Sequence, residues 1–407
     1  MQFNLASVCG YTNYAERALQ GMLFDSPQKS FNFLNALSSK LKPNVQCELS
    51  KLQQFTDIIN GNNIHEIITK HPSCANVNRK WPFEYFSLGA CIAGLNTILQ
   101  KYFGVQLFED SGSEALWDSS VVKLVVNNIK NENVLGYIYC DLIERENKEP
   151  LDCHFTVRCT RQINNIRQIP IIVLHMNFPA PSNGLPTMLS RDMLETLFHE
   201  FGHALHSCLS TTKYQHLSGT RCCTDLAEIP SQLFENLTKD KYVLHEIGRH
   251  YRKGERLPTD HVFDIANPFQ SIELAEQIFI ASCDLLFHMN ERLISDRTLR
   301  EASIEQLYNQ CVQVEAKSAS KLYLRFQHLV DYGSKYHCYI VSKSIANILA
   351  KAMCSDNVNP LNYSTSTKIK YSVLERGGEI TCQDLLNLFP DIINIESMMD
   401  ALIDPIL

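Results

Sequence analysis

SRDMLETLFHEFGH, residues 190–203, combines an apolar stripe with two histidines that stand four residues apart. The apolar residues recur at helical spacing, which predicts an amphipathic helix: Met193, Leu194, Leu197 and Phe198. On a helix, residues i and i+4 share a face, so the imidazoles of His199 and His203 point to one place. A catalytic zinc site takes three protein ligands and keeps a fourth position for water. Glu200 projects from the same turn, and we expect it to accept a proton from that water.

Two other stretches imitate this pattern without its geometry. Residues 65–69, HEIIT, lack the second histidine. In residues 245–250, HEIGRH, the second histidine comes five positions after the first and falls on a different part of a helix. We therefore interpret both stretches as surface residues.

A candidate third ligand follows in residues 224–228, TDLAE. The pattern predicts a helix that begins here, with Thr224 or Asp225 as its cap and Glu228 in its first turns. His206 faces roughly the same way as the two motif histidines. Three histidines on one helix would be too linear for tetrahedral coordination, so Glu228 is the better third ligand.

The second ring nitrogen of a ligand histidine usually needs a hydrogen-bond acceptor. Asp225 and Glu195 are both candidates for that role, because each lies one turn before a candidate ligand. The competing interpretations are helix capping for Asp225 and a solvated face for Glu195. Glu235, seven residues beyond Glu228, can face the same region and stays unassigned.

Residues 198–236, FHEFGHALHSCLSTTKYQHLSGTRCCTDLAEIPSQLFEN, resemble the thimet oligopeptidase family of zinc metallopeptidases. The zinc ligands of that family are the histidines of H-E-x-G-H and the glutamate of a later D-x-x-E-x-P-S element. The resemblance implies one Zn²⁺ per chain, held by His199, His203 and Glu228, with Glu200 as the catalytic glutamate. It extends over most of the chain.

Residues 326–339, FQHLVDYGSKYHCY, form a second cluster of interest, with three tyrosines spaced to share a helix face. Amide hydrolysis builds negative charge on the carbonyl oxygen, which a phenol or an imidazole can stabilise. The resemblance implies catalytic roles for Tyr339 and His328, and substrate-binding roles for Tyr332, Tyr336 and Gly333. Asp331 and His337 depart from the family pattern, which usually has glycine and tyrosine there. The competing interpretation of the tyrosines is core packing.

The composition is that of a globular enzyme. The 407 residues are 45% hydrophobic and 20% charged, which excludes a disordered class. The net charge of −7, without a Lys/Arg-rich run, predicts no nucleic-acid partner. No apolar stretch approaches the roughly 20 residues that span a bilayer, so we predict no membrane partner. The 15 cysteines form no C-x-x-C pair, which favours thiols in a reducing compartment. We expect a monomer that acts on peptides or precursor proteins.

Along the chain, residues 1–118 are predicted to be a helical region that leads into the catalytic domain, with a break at Lys42-Pro43. Residues 119–407 form the catalytic region: a small sheet at 119–178, zinc helices at 190–238 and C-terminal helices at 239–407. With the resemblance, this predicts a mainly α, zincin-type helical metallopeptidase catalytic domain with a small β-sheet beside the H-E-x-x-H helix. A free edge of that sheet can hold an extended peptide; the alternative is a sheet that only packs under the helices.

Three functions stay open from the sequence. Residues 214–221, YQHLSGTR, favour the branch of the family that works in the mitochondrial matrix and removes N-terminal octapeptides from imported precursor proteins. The second is a general oligopeptidase that degrades short peptides in the matrix or the cytoplasm. The third is an inactive truncated fragment that only binds zinc or peptide. Family members carry a long helical region upstream of Gly10, and no transit peptide is visible at the N-terminus, so we expect the catalytic half of a longer protein.

Overall fold

A computed structural model of the chain describes residues 1–56, 58–74, 81–110, 112, 115–259, 267–315, 329, 332–354 and 361–404. The chain forms two compact units. The first comprises Met1–Lys80, Asp264–Ser344 and Ile395–Pro405, and the second comprises Trp81–Phe263, Ile345–Asn394 and Ile406–Leu407. Within the described ranges, no helix is both long enough and apolar enough to span a membrane.

Helices dominate both units. In chain order they are α1 (Gln2–Val8), α2 (Tyr14–Ala18), α3 (Pro27–Phe55), α4 (Ile64–Lys70), α5 (Leu88–Ile98), α6 (Arg191–Leu209), α7 (Thr224–Ala227), α8 (Ile229–Leu237), α9 (Lys241–Ile247), α10 (Gln270–Met289), α11 (Arg292–Ser295), α12 (Arg297–Val312), α13 (His337–Met353), α14 (Tyr363–Ile369), α15 (Cys382–Leu388) and α16 (Ile395–Ile403). Short 3₁₀ or π turns cover Phe83–Tyr85, Leu99–Phe103, Gln215–Leu217, Lys370–Leu374 and Gly377–Glu379.

The longest helix, α3, differs from the sequence expectation, because it runs through Pro43 instead of ending there. Its buried face continues on both sides of the proline: Leu34, Leu37, Leu41, Val45, Leu49 and Leu52. Burial of an aliphatic side chain contributes about 1.5–3 kcal/mol. Six such side chains therefore outweigh the roughly 3 kcal/mol that a proline costs inside a helix.

The second unit contains a small, five-stranded sheet. The strands of this sheet and of a separate ribbon are, in chain order, β1 (Val105–Glu109), β2 (Val122–Asn128), β3 (Val134–Ile143), β4 (Cys153–Arg158), β5 (Arg161–Ile163), β6 (Ile166–Gln168) and β7 (Ile171–Phe178). The sheet order is β1-β2-β3-β7-β4, and β5 and β6 form a separate two-stranded ribbon. Only β3 and β7 pair in parallel among these neighbours. Strand β1 lies outside the segment in which we predicted strands.

Ser190 caps the N-terminus of helix α6, and its side-chain oxygen accepts the amide hydrogen of Met193 at 3.2 Å. Leu194, Leu197 and Phe198 of its apolar stripe are buried, whereas Met193 is half-buried. The helix packs on the sheet so closely that a Cβ at Gly136 of β3 would lie 2.4 Å from Sγ of Cys208. The sheet therefore lies directly beside the helix that carries His199 and His203. The prediction of a mainly α fold with a small sheet beside this helix is confirmed.

Candidate metal centre

Three side chains of the second unit converge as a possible metal-binding group. The Nε2 atom of His203 lies 3.2 Å from Oε2 of Glu228, and Nε2 of His199 lies 3.5 Å from the same oxygen. One ligand atom from each of the three residues lies within 4.8 Å of the other two. Two imidazole nitrogens and one carboxylate oxygen are the kind of donor set that a catalytic zinc site uses. The structure thus brings together the three residues that the sequence predicted as ligands.

Glu228 lies at the junction of α7 and α8 rather than in the first turns of one helix. The N-cap position of α7 belongs to Cys223, not to either residue predicted for it, and no side chain caps that helix. Pro230 has no amide hydrogen to continue α7, so the chain begins a new helix with Glu228 at its N-cap. The hydroxyl of Ser231 donates a hydrogen bond to Oε2 of Glu228 at 2.9 Å, which helps to orient the carboxylate.

Gly202, inside the motif, permits the close packing that brings Glu228 to the histidines. A Cβ atom at this position would lie 2.6 Å from the carbonyl oxygen of Pro230 and 2.7 Å from Cα of Ser231. Both neighbours are backbone atoms of the segment that follows Glu228, so they cannot move aside as a side chain can. Any larger residue at 202 would push α6 and α8 apart.

Glu200 lies between the two motif histidines and is buried, with 7% of its surface exposed. Its Oε2 atom has no hydrogen-bond partner among the described residues. Burial raises the pKa of this carboxyl group above its ordinary value, although the neighbouring His203 and His199 oppose that shift. Its raised proton affinity and unoccupied oxygen are properties of a proton acceptor.

The acceptor for His199 is a residue that the sequence left unassigned. Nδ1 of His199 lies 3.2 Å from Oε2 of Glu235 on α8, while its Nε2 faces Glu228. Glu195, one of the two predicted acceptors, instead pairs with Arg191 at 2.8 Å. The other, Asp225, is buried and lies in α7. The seven-residue interval between Glu228 and Glu235 was the sequence signal for this acceptor. It identifies Glu235 only once α8 is known to pack on α6.

His154 is a further histidine at this centre that the sequence did not single out. It lies on β4, and its ring stacks on that of His203 with 4.6 Å between centroids and 19° between planes. Ligand atoms of His154, Glu200 and His203 also lie within 4.8 Å of one another. Burial lowers the pKa of His154 to about 3, so its imidazole is neutral at physiological pH. Its position brings an edge strand of the sheet to the metal-binding group.

His206, the rejected ligand, is fully buried beneath the centre. Neither of its ring nitrogens has a hydrogen-bond partner among the described residues, and burial lowers its pKa to about 3. It belongs to neither candidate metal-binding group of the described residues. Its neutral ring packs in the core of the second unit.

The charges of the converging residues suit a divalent cation. Burial alone would raise the pKa of Glu228, but the hydrogen bond and charge of His203 outweigh it and lower that pKa to about 2. The carboxylate is therefore ionised. Burial lowers the pKa of His199, but the hydrogen bond with Glu235 and the nearby carboxylates raise it overall. An ionised carboxylate beside two imidazoles fits a borderline metal ion such as zinc.

The tyrosine segment belongs to the first unit, and His328 and Asp331 lie outside the described residues. Tyr332 and Tyr336 lie in a turn that precedes α13, so the three phenols do not share one helix face. Tyr332 is 51% exposed, whereas the rings of Tyr336 and Tyr339 lie 5.6 Å apart. Gly333 is buried in the same turn. The roles that the sequence suggested for these residues stay predictions.

This chain has the features that define the class of a helical metallopeptidase. They are a zincin-like helix, a carboxylate at the junction of the next two helices and a small sheet. Residues 1–393 match peptidase family M3, and the chain belongs to that family. Membership implies a bound metal ion, for which the described His and Glu groups are candidates.

Relatives of the chain include mitochondrial intermediate peptidases from animals and a plant. The chain is 34% identical to the mitochondrial intermediate peptidase of Mus musculus over 98% of this chain and 57% of that protein. The human protein of the same name is 34% identical over 92% of this chain and 53% of its own length. The Arabidopsis thaliana protein is 32% identical over 94% of this chain and 55% of its length. The chain thus spans little more than half the length of these relatives.

Among solved structures, PZ peptidase A with an inhibitor is similar in fold, with a TM-score of 0.56. The similarity covers 98% of this chain and 62% of that one, at 11% sequence identity. At this identity the likeness concerns the fold alone.

Proposed function

We propose that this chain is a zinc-dependent metalloendopeptidase that hydrolyses peptide bonds. The observation that carries the proposal is the convergence of His199, His203 and Glu228 within 4.8 Å, with Glu200 on the same helix as both histidines. Membership of peptidase family M3 supports the same reaction.

In this proposal, His199, His203 and Glu228 hold one Zn²⁺ ion. When bound, zinc acts as a Lewis acid that polarises a carbonyl group and lowers the pKa of water. Glu235 fixes the orientation of His199 through Nδ1, so that Nε2 is directed at the metal. Ser231 fixes the Glu228 carboxylate in a comparable way.

Glu200 moves the protons of the reaction. Its buried Oε2 accepts a proton from the attacking water and returns that proton to the leaving amine. Tyr339 and His328 are proposed to stabilise the negative charge on the carbonyl oxygen, as the sequence resemblance implies. Tyr332, Gly333 and Tyr336 are proposed to contact the substrate.

The exposed edge of β4 is the proposed binding site for an extended substrate. Strand β4 pairs with β7 on one side and has no strand on the other in the described sheet. His154 on this strand stacks on His203, so a peptide along the edge would pass beside the metal-binding group. Backbone hydrogen bonds along a strand edge bind a peptide irrespective of its side chains.

We further propose that the substrates are imported precursor proteins from which N-terminal octapeptides are removed in the mitochondrial matrix. The support is the sequence of residues 214–221 and the similarity to mitochondrial intermediate peptidases. We expect the protein to act as a monomer.

The first test is the zinc content and peptidase activity of the 407-residue chain, assayed on a quenched peptide that begins with an octapeptide leader. Glu200→Gln should keep one zinc per chain and lose nearly all turnover, because the proton acceptor is removed and no predicted ligand is. Turnover near the wild-type level in Glu200→Gln would refute the role of Glu200. His203→Ala should lose the metal, and stoichiometric zinc in that variant would contradict the ligand assignment.

The position of cleavage then decides between the two kinds of substrate. Cleavage eight residues from the N-terminus of leaders fused to longer chains supports precursor processing. Cleavage of short peptides only, at varied positions, would instead support a general oligopeptidase.

A further inference from the structure

Asp284 on α10 is a fully buried carboxylate that binds the turn containing the tyrosines. Its Oδ1 atom accepts the amide hydrogen of Ser334 at 2.8 Å, and its Oδ2 atom accepts that of Tyr336 at 3.0 Å. Asp284 lies about fifty residues before this turn in the chain. A buried charge is costly unless it is paired and hydrogen-bonded, so a carboxylate at 0% exposure that spans two amides indicates a built contact.

His288, one helical turn after Asp284, completes this contact. Its Nδ1 atom lies 2.7 Å from the carbonyl oxygen and 3.1 Å from Oδ1 of Asp284, so Nδ1 carries the hydrogen and donates it. Burial disfavours the charged imidazole, but the hydrogen bond with Asp284 raises the pKa of His288 overall. The opposite edge of the ring faces the turn.

Gly333 in the turn lies directly against that ring edge. A Cβ atom at position 333 would lie 2.4 Å from Nε2 and 2.8 Å from Cε1 of His288. The next residue, Ser334, has φ +69°, a left-handed conformation that residues with side chains rarely adopt. Such a conformation persists only where the surroundings hold it, and the bond from Ser334 to Asp284 does so.

A third contact lies seven residues before Asp284 on the same helix. The hydroxyl of Tyr336 donates a hydrogen bond to Oε1 of Gln277 at 2.7 Å. Gln277, Asp284 and His288 are separated by intervals of seven and four residues, which places them on one face of α10. This face therefore fixes both the backbone of the turn and the phenol of Tyr336.

We propose that Asp284 and His288 are positioning residues that hold the 332–336 turn, and with it the tyrosines, in the conformation that serves peptide hydrolysis. The inference rests on the proposed function, because it is there that the tyrosines are assigned to the substrate. Neither Asp284 nor His288 is proposed to touch the reacting atoms. They act through the backbone of the turn, and Gly333 is required because the turn approaches the His288 ring so closely.

Two kinds of variant test this in the full 407-residue chain loaded with zinc. Asp284→Asn keeps the size of the side chain, but its amide nitrogen faces one of the two backbone N–H groups and cannot accept a hydrogen bond. We expect kcat to fall at least about tenfold with a smaller change in KM, because misplacing catalytic contacts lowers kcat. The amides of Ser334 and Tyr336 should exchange hydrogen for deuterium faster, while zinc content stays at one per chain.

The second kind is a paired rescue. Gly333→Ala introduces the clash with His288 and should lower kcat as Asp284→Asn does. His288→Asn keeps a donor near the Nδ1 position but removes the ring atoms that a Cβ at 333 would meet, so it should lower kcat less than Gly333→Ala does. The double variant His288→Asn/Gly333→Ala should recover most of the lost kcat. Gly89→Ala is the matched control, because a Cβ there meets nothing within 4 Å, and it should leave kcat unchanged.

An unchanged kcat and unchanged amide exchange in Asp284→Asn would overturn the proposal. A double variant no more active than Gly333→Ala would also overturn it. If Asp284→Asn does not fold, the comparison of Gly333→Ala with the double variant decides alone, because both of these variants keep Asp284. If the unaltered chain cleaves no peptide, the proposed function fails by itself, whereas the exchange rates still show whether Asp284 holds the turn.

Discussion

At the residue scale, Glu235 is the side chain that gives His199 its orientation. It accepts from Nδ1 at 3.2 Å and leaves Nε2 facing Glu228, where we propose that the metal binds. Outer partners of this kind typically change metal affinity by about 10–100-fold when they are removed. We therefore expect Glu235→Ala to weaken zinc binding by about that factor, as measured by competition with a chromophoric chelator.

Glu195→Ala is the matched control for this prediction. Glu195 lies one turn before His199 and is also a glutamate, but its partner is Arg191. Zinc affinity should change little in this variant. The reverse ranking, with Glu195 dominant, would show that Glu195, one of the two acceptors suggested by the sequence, is the functional one.

Asp141 on β3 offers a second prediction at this scale, on pH dependence. Its buried carboxylate accepts from both terminal guanidinium nitrogens of Arg145, from Nε1 of Trp117 and from Nζ of Lys148. Burial would raise its pKa, but these partners outweigh burial and lower the pKa well below the ordinary value. A lowered folded-state pKa contributes stability above the unfolded value of about 3.9, and this stability is lost as pH falls further.

Asp141→Asn should accordingly destabilise the protein at pH 7 by about 3–5 kcal/mol, the usual effect of breaking a buried pair. The difference in unfolding free energy between wild type and variant should shrink below about pH 4, because there the unfolded chain binds a proton at this carboxyl group while the folded carboxylate stays ionised to much lower pH. Urea titrations at several pH values measure it. A difference that stays constant down to pH 2 would contradict the assignment. Asp110→Asn, which alters a half-buried carboxylate paired with Lys123, should change stability much less.

The ligand candidates could be predicted from the sequence because the spacing of His199 and His203 fixes their shared face on any helix. The partners of these ligands could not. Glu195 and Glu235 both lie at plausible helical intervals, and only the docking of α8 against α6 selects Glu235. Ser231 was visible as part of the D-x-x-E-x-P-S element, but its bond to Glu228 also depends on the tertiary fold.

At the element scale, the contact between α6 and α8 is the one on which the metal-binding group depends. Gly202→Ala places a methyl group 2.6 Å from the Pro230 carbonyl oxygen. We expect a loss of about 1–3 kcal/mol in the free energy of unfolding, as for other overpacked sites. Zinc content should also fall, because Glu228 is pushed away from the histidines.

Gly89→Ala is also the control for Gly202→Ala. It lies at the exposed start of α5 with no atom within 4 Å of a built Cβ. Alanine should stabilise the protein by about 0.4–1 kcal/mol there, because it restricts the unfolded chain. Denaturant unfolding and metal analysis of both variants give the comparison, and equal effects would contradict the packing argument.

Elements with strong periodicity were predicted well, and those that depend on tertiary contacts were not. The pattern of residues 190–203 predicted α6, and the runs of β-branched residues predicted β2, β3, β4 and β7. Pro43 was read as a break because the buried face that carries α3 past it is a property of the folded unit. The turn at 332–336 was read as helix because the tyrosine spacing is helical, whereas its backbone is set by Asp284.

At the scale of the whole molecule, each unit assembles from segments that lie far apart in the chain. Residues 81–263 contribute the sheet and the metal-binding group to the second unit, and 345–394 add further helices. Periodicity and spacing are local properties, so they identify such segments but do not say which distant ones cluster. The resemblance to a known family supplied that information indirectly, as an expected fold.

Removal of the metal should affect the molecule as a whole, because metal binding links one site to the stability of the fold. A ligand that binds only the native state stabilises it by about 4 kcal/mol when present at a thousand times its Kd. For a unit of roughly 200 residues this corresponds to a shift in melting temperature on the order of ten degrees. Calorimetry should therefore show a lower melting temperature after chelation, restored by Zn²⁺ but not by Mg²⁺, which prefers oxygen ligands.

His203→Ala should melt at one temperature whether or not zinc or chelator is added, because its binding group is incomplete. A wild-type chain that holds one zinc yet melts identically with and without it would mean that the ion lies elsewhere than between α6 and Glu228.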